Sequence, residues 1–435
     1  MNRLKKILID NIWLKISAFN SLGVLSRVLS GWIINKLIAI YIGPQGTTLS
    51  EQLRNFLQTI EGFSTLGIQE GVTKYGAKYQ NNSKQLTSFL STSYKIVLIT
   101  SFFLGISIFV FSKTINQLIF PEYSFHFIIK LTGILLPISA INIVIQAIIR
   151  GFQEYKKITY ISITSNFFTA LIALYLIYNF HLTGALILVL ITQIISFVVS
   201  LFYLRKDIKK ILKISFNNTD KKHFQRLFAY IIMAMISSVI VPIFTILIRN
   251  LIFEHYSGDL GIHAGYWDAV KKISGLFISL ILPVFGLYYY PRLAKIHTNI
   301  ELKKEIKKFL KQIVPFFSIG ILLLYLLRYW VILLFYSKAY LPSENLFLWQ
   351  IFGDYLRVLS MTLAFLMLAK AHVRKYLIME IGFWLVYYIS SYILLKKYQL
   401  YGITIAYFIS YVFYLSGLIF IYRKFLFNKK EILIK

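Results

Sequence analysis

Twelve apolar stretches, each roughly 20 residues or more, fill almost the whole chain and are separated by short polar breaks. They fall at about 16–41, 47–69, 86–112, 126–149, 158–178, 183–204, 227–250, 262–290, 312–335, 345–369, 376–395 and 401–422. A helix of about 20 residues matches the ~30 Å hydrocarbon core of a bilayer. The expected fold class is therefore an all-α integral membrane protein of twelve transmembrane helices.

Composition agrees, with 57% hydrophobic and only 15% charged residues. The net charge of +30 would suggest nucleic acid in a soluble chain. Here the lysines and arginines sit in short runs between apolar stretches, so no nucleic-acid partner is expected. There is no cysteine, which excludes a disulfide framework, a thiolate metal site and a cysteine nucleophile. The opening "MNRLKKILIDNIWLK" is basic and leads into a long apolar run without a small-residue cleavage site, which is the pattern of a retained first span.

Charge sets the expected orientation. With twelve spans, the outer connections hold only Lys113, Lys338, Lys396 and Lys397, while basic residues crowd the inner ones. The positive-inside rule then places both termini in the cytoplasm. The longest inner connection, "RKDIKKILKISFNNTDKKHFQR", lies at mid-chain. It suggests an N-terminal six-helix bundle over 1–206, a basic cytoplasmic linker over 207–226 and a C-terminal six-helix bundle over 227–435. A faint repeat supports two halves. "YIGPQG" at 41–46 matches "YSGDLG" at 256–261, an offset of 215, and "GVTKYGAKY" is followed about 218 residues later by "YYYPRLAKI". Parallel halves of this kind place a substrate path at their interface. The outer connections, of which "KTINQLIFPEYSFH" is the longest, are too short to house a catalytic domain, so a membrane glycosyltransferase or ligase is disfavoured and no enzyme activity is expected.

Charges within the spans carry the functional information. Ten are cationic (Arg27, Lys36, Arg54, Lys95, Lys130, Arg249, Lys271, Lys272, Arg328 and Arg357), and Glu51, Glu61, Asp268 and Asp354 are acidic. Each would cost about 2.5–3.5 kcal/mol at the bilayer centre even on a lenient scale, so they must face water, protein or one another. In the second span Glu51, Arg54, Gln58 and Glu61 lie within roughly 80° of each other around a helix. Gln350, Asp354 and Arg357 form a second polar face, and Asp268 with Lys271 and Lys272 a third, each lysine one turn from the carboxylate.

Lys95 and Lys130 stand near span ends, where long side chains reach the headgroups, and the same reading is open for Arg249 and Arg328. Glu51, Glu61 and Asp268 can serve as structural counter-ions. Arg27 and Arg357 are too deep to snorkel. Arg27 and Lys36 lie on opposite sides of an ideal helix, so both can face one cavity only if that helix bends, for which Gly31 is a candidate.

Cations exceed carboxylates within the spans, so the cargo should be anionic. Arginine favours phosphate because its planar fork donates paired hydrogen bonds. There is no phosphate-cradling glycine loop and no metal-ligand spacing, and no cofactor is expected.

Several stretches carry a resemblance: "NKLIAIYIGPQG", "GVTKYGAKY", "IRNLIFEHYS", "YYYPRLAKI", "LLRYWVILLFYSKAY" and the long block "LFLWQIFGDYLRVLSMTLAFLMLAKAHVRKYLIMEI". Over nearly its whole length the chain resembles the Wzx-type flippases of the multidrug/oligosaccharidyl-lipid/polysaccharide superfamily, closest to the enterobacterial lipid III flippases and O-antigen translocases. The resemblance implies two six-helix bundles around a central cationic cavity in the bacterial inner membrane. It also implies movement of an undecaprenyl-pyrophosphate-linked oligosaccharide from the cytoplasmic to the periplasmic leaflet by alternating access.

Membrane lipids, a polysaccharide polymerase and a chain-length regulator are the further partners it suggests. The expected cargo-binding residues are Arg27, Lys36, Arg54, Arg249, Lys271, Arg357 and Gln350, with Trp267 and Trp349 as sugar contacts. Glu51, Glu61, Asp268 and Asp354 are expected in coupling or in structural ion pairs. Lys271 and Lys272 depart from the family pattern, which leaves the sugar open. The alternative is a cation-coupled exporter of drugs or other anionic amphiphiles on the same architecture.

Overall fold

A computed structural model describes residues 12–205, 239–296, 298–370, 372–423 and 425. The basic linker expected at 207–226 lies outside the described residues. Those residues are helical almost throughout and include no strand, as a chain solvated by lipid requires.

The first helices are α1 (Ile12–Tyr41), α2 (Pro44–Thr65), α3 (Gln69–Tyr79), α4 (Ser83–Val110), α5 (Ser112–Ile119), α6 (His126–Gly151) and α7 (Tyr155–Leu204). Then come α8 (residues 239–255), α9 (Ile262–Ser279), α10 (Tyr290–Lys295), α11 (Asn299–Leu326) and α12 (Arg328–Phe335). The last three are α13 (Phe347–Ala369), α14 (Val373–Tyr398) and α15 (Tyr401–Ile421). Each of the twelve expected spans lies wholly or in part on these helices. Among the described residues, eight helical stretches are long and apolar enough to cross a membrane.

One of the eight counts twice. At about 1.5 Å per residue, the 50 residues of α7 would far exceed the bilayer. The helix is interrupted at His181, where φ is 46° and ψ −121°. Just beyond, Gly184 approaches the carbonyl of Leu176 so closely that a Cβ would overlap it. Expected spans five and six are therefore a tight hairpin. The second span and α9 fall outside the eight because they carry the polar faces, and α8 begins where the described residues resume.

Two expected helices are broken. The span at 262–290 ends as an α-helix at Ser279 and continues through a short turn, Leu282–Val284, into a π-helical segment, Phe285–Tyr289. Proline at position 283 lacks the amide hydrogen that a continuous helix would donate to the carbonyl of residue 279. The span at 312–335 divides at Leu327, and α11 starts earlier than expected, at Asn299. Its added turns are amphipathic: Leu302, Ile306, Phe309 and Ile313 are buried, while Lys304, Lys307 and Lys308 are exposed.

The chain divides into two compact units. One comprises Met1–Ile42 with Leu49–Ile246, and the other Gly43–Thr48 with Leu247–Lys435. In the first, Val72, Phe89, Tyr94, Ile145, Ile161 and Val199 belong to one core that joins α3, α4, α6 and α7. Helices α4 and α6 cross at Gly105 and Gly133, where an added Cβ on either would come within 2.5–2.6 Å of the other's carbonyl oxygen. Small residues at such crossings let backbones meet where lipid supplies no hydrophobic drive. In the second unit, the start of α2 is held by Tyr340, whose hydroxyl meets Thr47 Oγ1 at 2.5 Å and donates to Gly43 O at 2.9 Å.

The two halves of the sequence share local devices. Gly43 and Gly258, 215 residues apart, both adopt left-handed φ, 93° and 87°. His181 and Gln399, 218 apart, both have positive φ, and three residues after each a glycine, Gly184 or Gly402, sits against the carbonyl eight residues before it.

Candidate functional site

In the first unit, α2 is built inside out for a helix of a membrane protein. Its apolar residues Leu49, Leu53, Phe56, Leu57 and Ile60 are buried in protein, while Arg54 and Gln58 are exposed. The Arg54 side chain is 49% exposed, and its Nε lies 3.5 Å from Glu51 Oε1. Lipid cannot solvate such a face, so water or a polar cargo must lie against it. Farther along the same face, Glu61 meets the Ser139 hydroxyl of α6 rather than a cation. A cavity of about 450 Å³ opens beside Glu61, lined by Gln58, Thr65, Gln69, Ile143 and Pro242 among others.

Arg27 is exposed on α1, and Lys36 is half-buried two and a half turns on. A polar ladder fixes α1 beside Arg27. Asn166 of α7 donates to Ser26 Oγ at 3.0 Å, and Ser30 donates to Asn166 O at 3.0 Å. Interhelical hydrogen bonds of this kind stabilise by about 0.6 kcal/mol each in a bilayer.

The second unit holds two clusters. In the first, Arg249 of α8 is fully buried and donates twice to Asp268 of α9, Nε to Oδ2 at 3.0 Å and a terminal nitrogen to Oδ1 at 2.8 Å. Lys271 reaches the same carboxylate only at 4.0 Å, with its ammonium 4.5 Å from the Trp267 ring. The one-turn spacing that suggested a lysine partner for Asp268 yields to an arginine from another helix, because the guanidinium fork satisfies both carboxylate oxygens at once. Lys271 is left partly exposed beside it.

In the second cluster Asp354 of α13 is buried and accepts from Ser274 Oγ at 2.6 Å and from Tyr407 OH at 2.9 Å. Gln350 Nε2 donates to Ser274 Oγ at 3.2 Å and approaches Asp354 Oδ1 at 3.5 Å. Arg357, one turn on, is hydrogen-bonded to Tyr407. The chain Arg357–Tyr407–Asp354 thus links the cation to the acid through a tyrosine, where adjacency in sequence suggested a direct ion pair.

Of the expected cargo residues, Arg27, Arg54 and Lys271 retain exposed or partly exposed charge, while Arg249 and Gln350 are enclosed by their own partners. Trp267 is buried and packed under cations, whereas Trp349 lines an apolar cavity with Tyr398 and Tyr401. Arg328 pairs with Glu344 at 3.0 Å, and Lys130 lies 5.3 Å from the Phe109 ring. Glu380 of α14 escaped the sequence reading. It is hydrogen-bonded with Tyr414 and lies within electrostatic reach of Arg357. Its position inside the 376–395 span was signal enough.

The chain is similar to known proteins. The lipid III flippase of Escherichia coli (strain K12) is 26% identical over 417 residues, 94% of this chain and 99% of its own length. A multidrug resistance MATE family transporter of the MOP superfamily, in an inward-facing conformation, superposes with a TM-score of 0.73 at 15% identity and covers 93% of this chain and 96% of its own. The lipid II flippase MurJ, in an inward closed conformation, gives 0.72 at 17% identity and covers 93% and 87%. These two likenesses show that the chain shares the fold of those two proteins. The model of the "Polysaccharide biosynthesis protein" family matches residues 14–297, well over half of the chain, which therefore belongs to that family.

Proposed function

We propose that this chain is a flippase that moves an undecaprenyl-pyrophosphate-linked oligosaccharide, a lipid III or an O-antigen repeat unit, from the cytoplasmic to the periplasmic leaflet of a bacterial inner membrane. The observation that carries the reading is the second helix, which exposes Arg54 and Gln58 on a polar face shared with Glu51 and Glu61 while Leu49, Leu53, Phe56, Leu57 and Ile60 are buried. Such a face suits a polar cargo, with Arg54 as the group for its anionic part. The similarity to a lipid III flippase over nearly the full length of both chains supports the same reading.

In this reading, two six-helix bundles, 1–206 and 227–435, enclose a cationic cavity and expose it alternately to either side, with both termini cytoplasmic. Arg27, Arg54 and Arg357 hold the pyrophosphate through paired, charge-assisted hydrogen bonds, and Lys36 and Lys271 guide it. The polyprenyl tail stays in lipid. Asp354 couples the cycle: neutralising it would release Tyr407 and change the field on Arg357. A polysaccharide polymerase and a chain-length regulator would act on the product.

The test is complementation of a deletion strain by Arg27→Ala, Arg54→Ala and Arg357→Ala, with membrane levels checked by immunoblot. Losing a hydrogen bond to a charged group costs about 1.5–3 kcal/mol, so transport should fall about tenfold or more in each. Full complementation by all three at normal levels would sink the site assignment.

A further inference from the structure

The carboxylate of Glu61 has a surplus that neither the fold nor the pyrophosphate site uses. Its Oε1 is buried without a hydrogen-bond partner among the described residues. An orphaned buried acceptor costs roughly 1–3 kcal/mol, more when charged, and so calls for a donor. The adjoining cavity shows what that ligand is. Its 450 Å³ is many times the ~30 Å³ share of one water molecule and falls in the range of small-molecule sites, so it is oversized for a bare ion. Its polar lining mixes acceptors and donors: the carboxylate of Glu61, the amides of Gln58 and Gln69 and the hydroxyl of Thr65. A second anion would be repelled by Glu61, so the pyrophosphate does not belong here. Hydroxyl groups, which both donate and accept, match each of these side chains.

We infer that this cavity is a sugar subsite in which Glu61 accepts a hydrogen bond from a hydroxyl or amide of the cargo's oligosaccharide, with Gln58 and Gln69 flanking it. The inference rests on the flippase reading and deepens it, since it separates the residues that read the sugar from those that hold the pyrophosphate. Arg54 lies one turn from Gln58 on the same helix face, so one cargo could touch both groups.

The chain has no cysteine, so a single Ile143→Cys substitution, at a half-buried position lining the cavity, gives a clean probe. The full-length variant, in lipid nanodiscs, would be labelled with a maleimide in the presence of lipid-linked oligosaccharide extracted from the deletion strain, or of undecaprenyl pyrophosphate without sugar. The sugar-bearing lipid should slow labelling at least tenfold, and the bare pyrophosphate should not. Adding Glu61→Gln, which preserves shape, should abolish that protection while leaving the unliganded labelling rate unchanged, which also shows that the variant is folded. Equal protection by both lipids, or protection undiminished by Glu61→Gln, would overturn the subsite. If native mass spectrometry shows that the unsubstituted protein binds neither lipid, the flippase reading itself fails and the subsite with it. If it binds the sugar-bearing lipid and Ile143→Cys is nevertheless unprotected, the subsite alone fails.

Discussion

Arg249 and Arg54 carry the same charge on spanning helices, yet their surroundings assign them opposite work. Arg249 is enclosed, with two hydrogen bonds to Asp268, and its energetic role is to keep a buried carboxylate from standing alone. Breaking such a pair by removing one partner costs about 3–5 kcal/mol. Arg249→Ala should therefore lower the thermal unfolding temperature in detergent, and the double change Arg249→Met with Asp268→Leu should recover most of the loss. A fully stable Arg249→Ala protein would refute the structural assignment. Arg54→Ala, with a half-exposed side chain, should leave that temperature nearly unchanged. Sequence could list both arginines as interior charges but could not separate them. The partner of Arg249 lies 19 residues away on another helix, and the spacing rule for a single helix pointed to Lys271 instead. Glu380 was legible as an intramembrane carboxylate. The tyrosine that joins Arg357 to Asp354 was not, because in a chain with 17% aromatic residues no single tyrosine stands out.

At the scale of elements, apolar length and polar breaks located all eight described stretches that are long and apolar enough to cross a membrane, because bilayer thickness leaves little freedom. The breaks within spans were harder to see. Position 283 carries a proline whose effect on hydrogen bonding is local and readable, but the interruption at Leu327 has no such marker. Helix crossings are also hidden in sequence. Gly105 and Gly133 resemble other glycines until the structure brings their backbones together. Gly133→Val should push α4 and α6 apart, and overpacking of this kind costs about 1–3 kcal/mol. The expected result is a lower unfolding temperature, in contrast to the same change at Gly286, where a Cβ meets nothing within 4 Å. Equal behaviour of the two variants would argue that the crossing is not close-packed.

For the whole molecule, the repeat faintly visible at "YIGPQG" and "YSGDLG" recurs as shared backbone geometry. Gly43 and Gly258 turn alike, and the hairpins at His181 and Gln399 close alike on glycines three residues later. Sequence similarity between the halves is weak because lipid-facing positions accept any apolar residue, whereas a tight turn demands one geometry. The central claim is that this architecture moves a sugar-bearing polyprenyl pyrophosphate across the membrane. The most direct test is lipid analysis of a strain lacking this gene and any redundant flippase, asking which leaflet holds the undecaprenyl-pyrophosphate oligosaccharide. Accumulation on the cytoplasmic leaflet, reversed by the intact gene and not by Arg54→Ala, is the predicted result; an unchanged distribution of that lipid would contradict the account.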